Sequence, residues 1–243
     1  MIISEKILMD QRELIENGPI TIVAFGDSVT HGAVSPGEIN YETVYWNLLK
    51  KKINRLRNYV PVNVINAGIG GIDAKSSLKR IDRDVFSHNP DLVIVCFGLN
   101  DVNGTLEDYI SSLKTIFTEC NNRGIQTIFM TPNMLNTYVA EDTADNLKDY
   151  AAKTAEMQIS GRMDKYMNTA CELASSMNIE VCDCYSTWKE ISKTEDITLL
   201  LANRINHPTS EMHRLFADSL FNVIFKDKPE IINSAFDTMY SDK

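Results

Sequence analysis

Short apolar runs alternate along this chain with longer segments of helical period. Residues 20–25, 62–66, 91–97, 125–130 and 179–183 are rich in β-branched residues and nearly continuous in apolar character. Half-exposed strands would alternate polar and apolar positions, so this pattern predicts parallel strands covered on both faces. Residues 41–57, 73–86, 105–122, 144–177 and 209–226 have helical patterns and lie between or after the strands. Residues 2–17 also look helical, end at Gly18, and read as an extra helix (1–18) packed on the body. The alternation predicts an α/β fold: a three-layer α/β/α sandwich about a five-stranded, mostly parallel, doubly wound sheet. No repeat, low-complexity tract or linker interrupts it, so residues 1–243 are expected to form a single domain.

In such a sheet, ligands bind beyond the carboxyl ends of the strands. The polar motifs of this chain collect there. Phe25-Gly26-Asp27-Ser28-Val29-Thr30-His31-Gly32 follows the first strand, and Asn66-Ala67-Gly68-Ile69-Gly70-Gly71-Ile72-Asp73 follows the second. Gly98-Leu99-Asn100-Asp101 follows the third, and Asn206-His207-Pro208 precedes the last helix. Taken alone, Asp27-Ser28 reads equally as a helix N-cap or as a nucleophile. Gly-Gly and Asn-Asp pairs are ordinary turns. Together at one sheet edge they offer a hydroxyl nucleophile, an imidazole base and donors for an oxyanion.

Charge and composition remove several alternatives. The 243 residues carry a formal net charge of −9, and Lys and Arg cluster only at Lys50-Lys51-Lys52. Nucleic acid and anionic membrane surfaces both call for basic patches, so neither is expected as a partner. No apolar run approaches the roughly 18 residues of a membrane span. Glu5, Asp10, Glu13 and Glu16 do not suit a signal peptide. The cysteines are odd in number, and Cys182-x-Cys184 alone offers too few ligands for zinc. Reduced thiols in a cytoplasmic protein without metal or cofactor are the expectation.

The four blocks, in this order and spacing, resemble those of the SGNH hydrolases, also called the GDSL esterase/lipase superfamily. The resemblance runs from about residue 20 to 226 and implies a flavodoxin-like sheet. It implies Ser28 as nucleophile and His207 as base. The Ser28 N–H, the Gly71 N–H and the Asn100 amide would form the oxyanion hole. Gly68, Gly70 and Gly71 all stand in the second block; Gly71 is chosen as the last of the turn. Asp27 and Asp101 are expected to support their turns through Asx hydrogen bonds. One position departs from the family. Members usually carry Asp three residues before the histidine, and here that residue is Arg204. Asn203, a backbone carbonyl near 203–205, Asp183 and Asp196 are the candidate orienters of the imidazole.

The resemblance implies an ester as substrate, and the lack of a basic patch and of a mobile apolar element favours a small-molecule, soluble one with a short-chain or acetyl group, such as an acetylated carbohydrate. Lysophospholipase and thioesterase activity within the same family, and a catalytically impaired binding module, are the alternatives. A metallophosphoesterase would use Asp27, Asn100, Asp101 and His207, but such centres need more ligands than these. His31 reads as a turn residue near the pocket mouth, His88 as loop, and His213 as a structural contact. Residues 132–178 follow the fourth strand and read as a lid or insertion, or a wall of the acyl pocket. Their methionines are expected to fill core. The apolar tail, 229–243, would pack on the body or on a second subunit of a homo-oligomer.

Overall fold

The sheet of this protein, in a computed structural model describing residues 2–35 and 37–228, is wholly parallel. Its strands are β1 (Ile20–Gly26), β2 (Val62–Gly68), β3 (Leu92–Cys96), β4 (Gln126–Met130) and β5 (Glu180–Cys182), in the order β2-β1-β3-β4-β5. That is the doubly wound order in which the connection reverses direction between β1 and β3. Ile22 pairs with Leu92 and Gly26 with Cys96, so β1 and β3 end level with each other. β3 is buried along its whole length, which is why its sequence shows no alternation.

Two helical layers cover the sheet. One contains α1 (Ile3–Lys6), α4 (Tyr45–Leu56), α10 (Cys184–Ile191) and α11 (Ser210–Phe225), with α4 packed along α11. The other contains α5 (Ala74–Ser77), α7 (Leu106–Asn122), α8 (Lys148–Ile159) and α9 (Arg162–Ser176). Short helices α2 (Gln11–Asn17), α3 (Ser28–His31) and α6 (Ile81–Asp84) complete the described residues. The buried apolar residues of both layers form one continuous core with the strands.

Three expected helices are broken, each for a local reason. Residues 2–17 divide because Asp10 adopts extended backbone and caps α2 reciprocally with Glu13, restarting the helix. Residues 144–177 divide at Gly161, whose φ of 75° lies in the left-handed region. Residues 73–86 pass through a 3₁₀ turn at Leu78–Arg80. There the Arg80 guanidinium reaches Gly26 and Ala67, donating to their carbonyls at 3.2 and 2.7 Å. Helix α10 was absent from the sequence expectation, its eight residues being too short for a clear period. The tail at 229–243 lies outside the described residues.

Candidate active site

The serine is positioned by chemistry within its own block. Asp27 follows β1 and caps α3, its carboxylate accepting from the Val29 N–H at 3.0 Å. This turns the chain from strand to helix in one residue and leaves Ser28 at the first helical position. Gly26 is required by packing: a Cβ there would lie 2.2 Å from Thr30 Oγ1 and 2.5 Å from the Cys96 carbonyl oxygen. Thr30 then anchors α3 to the next helix, its hydroxyl 2.9 Å from that of Tyr45. Its carbonyl accepts from the Trp46 indole at 2.9 Å.

The histidine comes from the other end of the chain. His207 Nε2 lies 3.0 Å from Ser28 Oγ, and Nδ1 lies 3.2 Å from the Val34 carbonyl oxygen. A carbonyl only accepts, so the imidazole proton sits on Nδ1 and the Nε2 lone pair faces the serine. Burial holds the His207 pKa below its ordinary value, and the bond to Val34 partly opposes that shift. Val34 sits in a tight hairpin where Val34 N–H donates to Glu38 and Asn40 N–H to Gly32, at 3.0 and 2.8 Å.

Asn203 does not reach the imidazole. Its Oδ1 accepts from the N–H groups of Ile205, Asn206 and His207, at 3.0, 3.0 and 2.9 Å, and so folds the loop that ends in the histidine. The same loop places Arg204 at φ 60° and turns its guanidinium outward to Asp142. Asp196 accepts from the Tyr138 hydroxyl, and Asp183 caps α10, so neither faces His207. The acceptor is Val34, a residue without any distinguishing side chain, which is why the sequence did not reveal it. Two further residues went unrecognised. Asn133 donates to the Asn206 carbonyl at 2.9 Å, and the Asn136 N–H donates to the Ile205 carbonyl at 2.9 Å. Both asparagines are fully buried, and Thr154 of α8 donates to Asn136 Oδ1 at 2.6 Å.

The remaining blocks converge on the same edge. The Asn100 amide lies 3.4 Å from an Asp27 carboxylate oxygen and 3.2 Å from the Ile72 carbonyl, linking the serine turn to the glycine turn. Asp101 accepts from the Ala74 N–H at 2.8 Å, while its other oxygen has no partner among the described residues. Burial pushes the carboxyls of Asp27 and Asp101 each up to about 7. Gly71 has φ 75° and open space where a side chain would be. A Cβ on Gly70 would stand 3.8 Å from Ser28 Cβ, so Gly70 is the glycine whose side-chain position faces Ser28.

Of the other histidines, His213 is buried on α11 and accepts from the Tyr45 N–H at 3.3 Å. Burial drives its pKa down to about 3. His88 is exposed, and His31 lies on α3 beside the glycine turn. All five cysteines are free, with Cys182 and Cys184 sulfurs 3.7 Å apart. Among the described residues, no cluster of three or more His, Cys, Asp or Glu is placed to hold a metal ion. No described helix is long and apolar enough to cross a membrane.

The fold has solved counterparts. An acetylxylan esterase from Geobacillus stearothermophilus superposes with a TM-score of 0.65 at 22% identity, covering 84% of this chain and 94% of that one. A lipase/acylhydrolase from Enterococcus faecalis gives a TM-score of 0.65 at 25% identity, covering 84% and 95%. By sequence, an uncharacterized lipoprotein of Bacillus subtilis (strain 168), YqeF, is 28% identical over 120 residues, 45% of this chain and 47% of that protein. The match therefore spans about half the length of that relative. The model of the GDSL-like lipase/acylhydrolase family matches residues 24–215, from within β1 to within α11. That span takes in all four blocks, and the chain belongs to the GDSL-like lipase/acylhydrolase family.

Proposed function

We propose that this protein is a serine ester hydrolase that cleaves a short-chain or acetyl ester through an acyl-enzyme on Ser28. Ser28 Oγ attacks the acyl carbon while His207 Nε2 takes its proton. The proton then passes to the leaving alcohol, and water repeats the sequence to release the acid. The Ser28 N–H, the Gly71 N–H and the Asn100 amide would hold the oxyanion. The long contacts of Asn100 in the free protein leave its amide able to turn toward a stronger acceptor.

The observation that carries this reading is the 3.0 Å approach of Ser28 Oγ to His207 Nε2, with a carbonyl behind Nδ1. A triad aspartate replaced by asparagine costs roughly 10⁴ in turnover in serine proteases, largely by imposing the wrong tautomer. The Val34 carbonyl keeps the right tautomer and stabilises the imidazolium less than a carboxylate would. A serine–histidine–carbonyl site that works more slowly than a full triad is the consequence. Catalytic mutants of the acetylxylan esterase replace a serine, an aspartate and a histidine, which supports the first and last of these roles here. Residues 132–178, the expected lid or insertion, are fastened near their start through Asn133 and Asn136, which favours a wall over a hinged lid.

Hydrolysis of p-nitrophenyl acetate, butyrate and octanoate by the wild type and Ser28→Ala, with and without EDTA, tests the proposal. Turnover that survives EDTA and is lost in Ser28→Ala is expected, with acetate preferred. Activity that persists in Ser28→Ala, or disappears with EDTA, would overturn the serine mechanism.

A further inference from the structure

His31 follows Ser28 by three residues, so the two side chains share a face of α3. Their relation to the glycine turn is specific. A Cβ built on Gly70 meets His31 Nδ1 and Ser28 Cβ at the same distance, 3.8 Å. The imidazole and the nucleophile therefore flank one patch of that turn. The other ring nitrogen, Nε2, lies 3.4 Å from the Tyr41 hydroxyl, and the two rings are tilted with centroids 6.2 Å apart. When Tyr41 donates to Nε2, the single N–H of the neutral imidazole sits on Nδ1, on the side of Gly70 and Ser28.

Around this donor the surface exposes apolar groups, and Lys51, the cation beside Tyr41, is paired with Glu42 at 2.9 Å. Tyr41 is 51% exposed and Ile69, in the glycine turn, is 40% exposed. Tyr41 is not loose: its carbonyl accepts from Asn47, and Asn40 caps the N–H groups of Glu42 and Thr43 just beyond it. A tethered aromatic ring left half in water beside His31 is a surface waiting to be covered. Neither 31–42 nor 66–73 contains a Lys or Arg, whereas Glu38, Glu42 and Asp73 are present. Neither segment supplies a cation to a phosphate-bearing alcohol or thiol, and Lys51 is already engaged by Glu42.

Resting on the ester-hydrolase reading, we propose that His31 and Tyr41 form the alcohol-side specificity site, taking an uncharged ring alcohol with an oxygen neighbouring the esterified carbon. His31 Nδ1–H donates to that neighbouring oxygen. The Tyr41 ring and Ile69 cover the flat face of the alcohol. A cyclic polyol such as a pyranoside has both features, and a simple cycloalkanol has only the second.

The test compares kcat/KM for a mono-O-acetylated methyl pyranoside with that for cyclohexyl acetate, in the wild type, His31→Ala and Tyr41→Phe. The wild type is expected to favour the pyranoside by about 10-fold or more, the scale of one well-placed hydrogen bond. His31→Ala should collapse that ratio to near unity. Tyr41→Phe, an exposed change that keeps the ring, should lower it by about 3-fold by releasing the tautomer. No wild-type preference, or a His31→Ala variant that slows both esters equally, would overturn the assignment while leaving the hydrolase reading intact. A wild type inactive on both esters and on p-nitrophenyl acetate would overturn the hydrolase reading and the specificity site together.

Discussion

The two halves of the Ser28–His207 pair are held in opposite ways. Ser28 is fixed almost entirely from within its own octapeptide: Asp27 caps α3, and Gly26 lets that helix approach β1 closely. His207 is fixed from three places: its own loop, the segment 133–136 and Val34. Asn203 folds its loop, Asn133 and Asn136 hold the carbonyls before it, and Val34 meets its Nδ1. A nucleophile at a strand end inherits its place from the sheet. A base carried on a loop has to be assembled from whatever packs around it, and here a main-chain carbonyl fills the position that a carboxylate takes in most of the family.

The largest expected effect strikes the serine side. Asn100→Ala should lower kcat by about 10²–10³ with little loss of stability, the usual cost of one oxyanion donor. Steady-state kinetics on p-nitrophenyl acetate, with thermal unfolding as the control, measure it. On the histidine side, Asn203→Ala leaves three N–H groups without their acceptor. A loss of about 1–3 kcal/mol in chemical denaturation and a fall of roughly 10-fold in kcat are expected. Asn203→Asp keeps the acceptor and should do clearly less harm. Equal effects from the two would mean that the loop does not depend on Oδ1.

Acid probes the base directly. Burial lowers the His207 pKa, and His207 must be neutral to take the serine proton, so activity is full above the inflection and lost as pH falls through it. The acid limb of kcat/KM is therefore expected below pH 6.5, the ordinary histidine value. An inflection above that value would point to a carboxylate partner in place of Val34. The smallest effect sharpens the same point. Arg204→Asp restores the residue usual in the family, yet position 204 faces Asp142 with φ 60°. Activity should rise by no more than about 3-fold, since adding a carboxylate that cannot reach the imidazole supplies no orienting bond.

Much of the molecule was legible in its sequence. Each strand was expected within three residues of its observed ends, because burial on both faces writes a continuous apolar run into the chain. The breaks at Asp10 and Gly161 were missed because helical periodicity persists across them while a cap or a left-handed glycine stops the helix. Ser28, Asn100 and His207 stood out because their chemistry resides in side chains next to strong local signals. Gly71 was chosen over Gly70 only as the last glycine of its turn, and that Gly70 is the one whose Cβ position faces Ser28 could not be read from sequence.

By itself the sequence determined the layers, the edge of the sheet where polar groups gather and the choice of Ser28 and His207 as candidate nucleophile and base. These follow from periodicity and from turn chemistry that acts over a few residues. Only the tertiary structure decided what stands behind the imidazole, what holds the His207 loop and which residues line the rim. Val34, Asn133 and Asn136 lie 173, 73 and 69 positions from their partners. Two of those bonds are made by backbone groups that every residue carries, so no side-chain pattern could announce them.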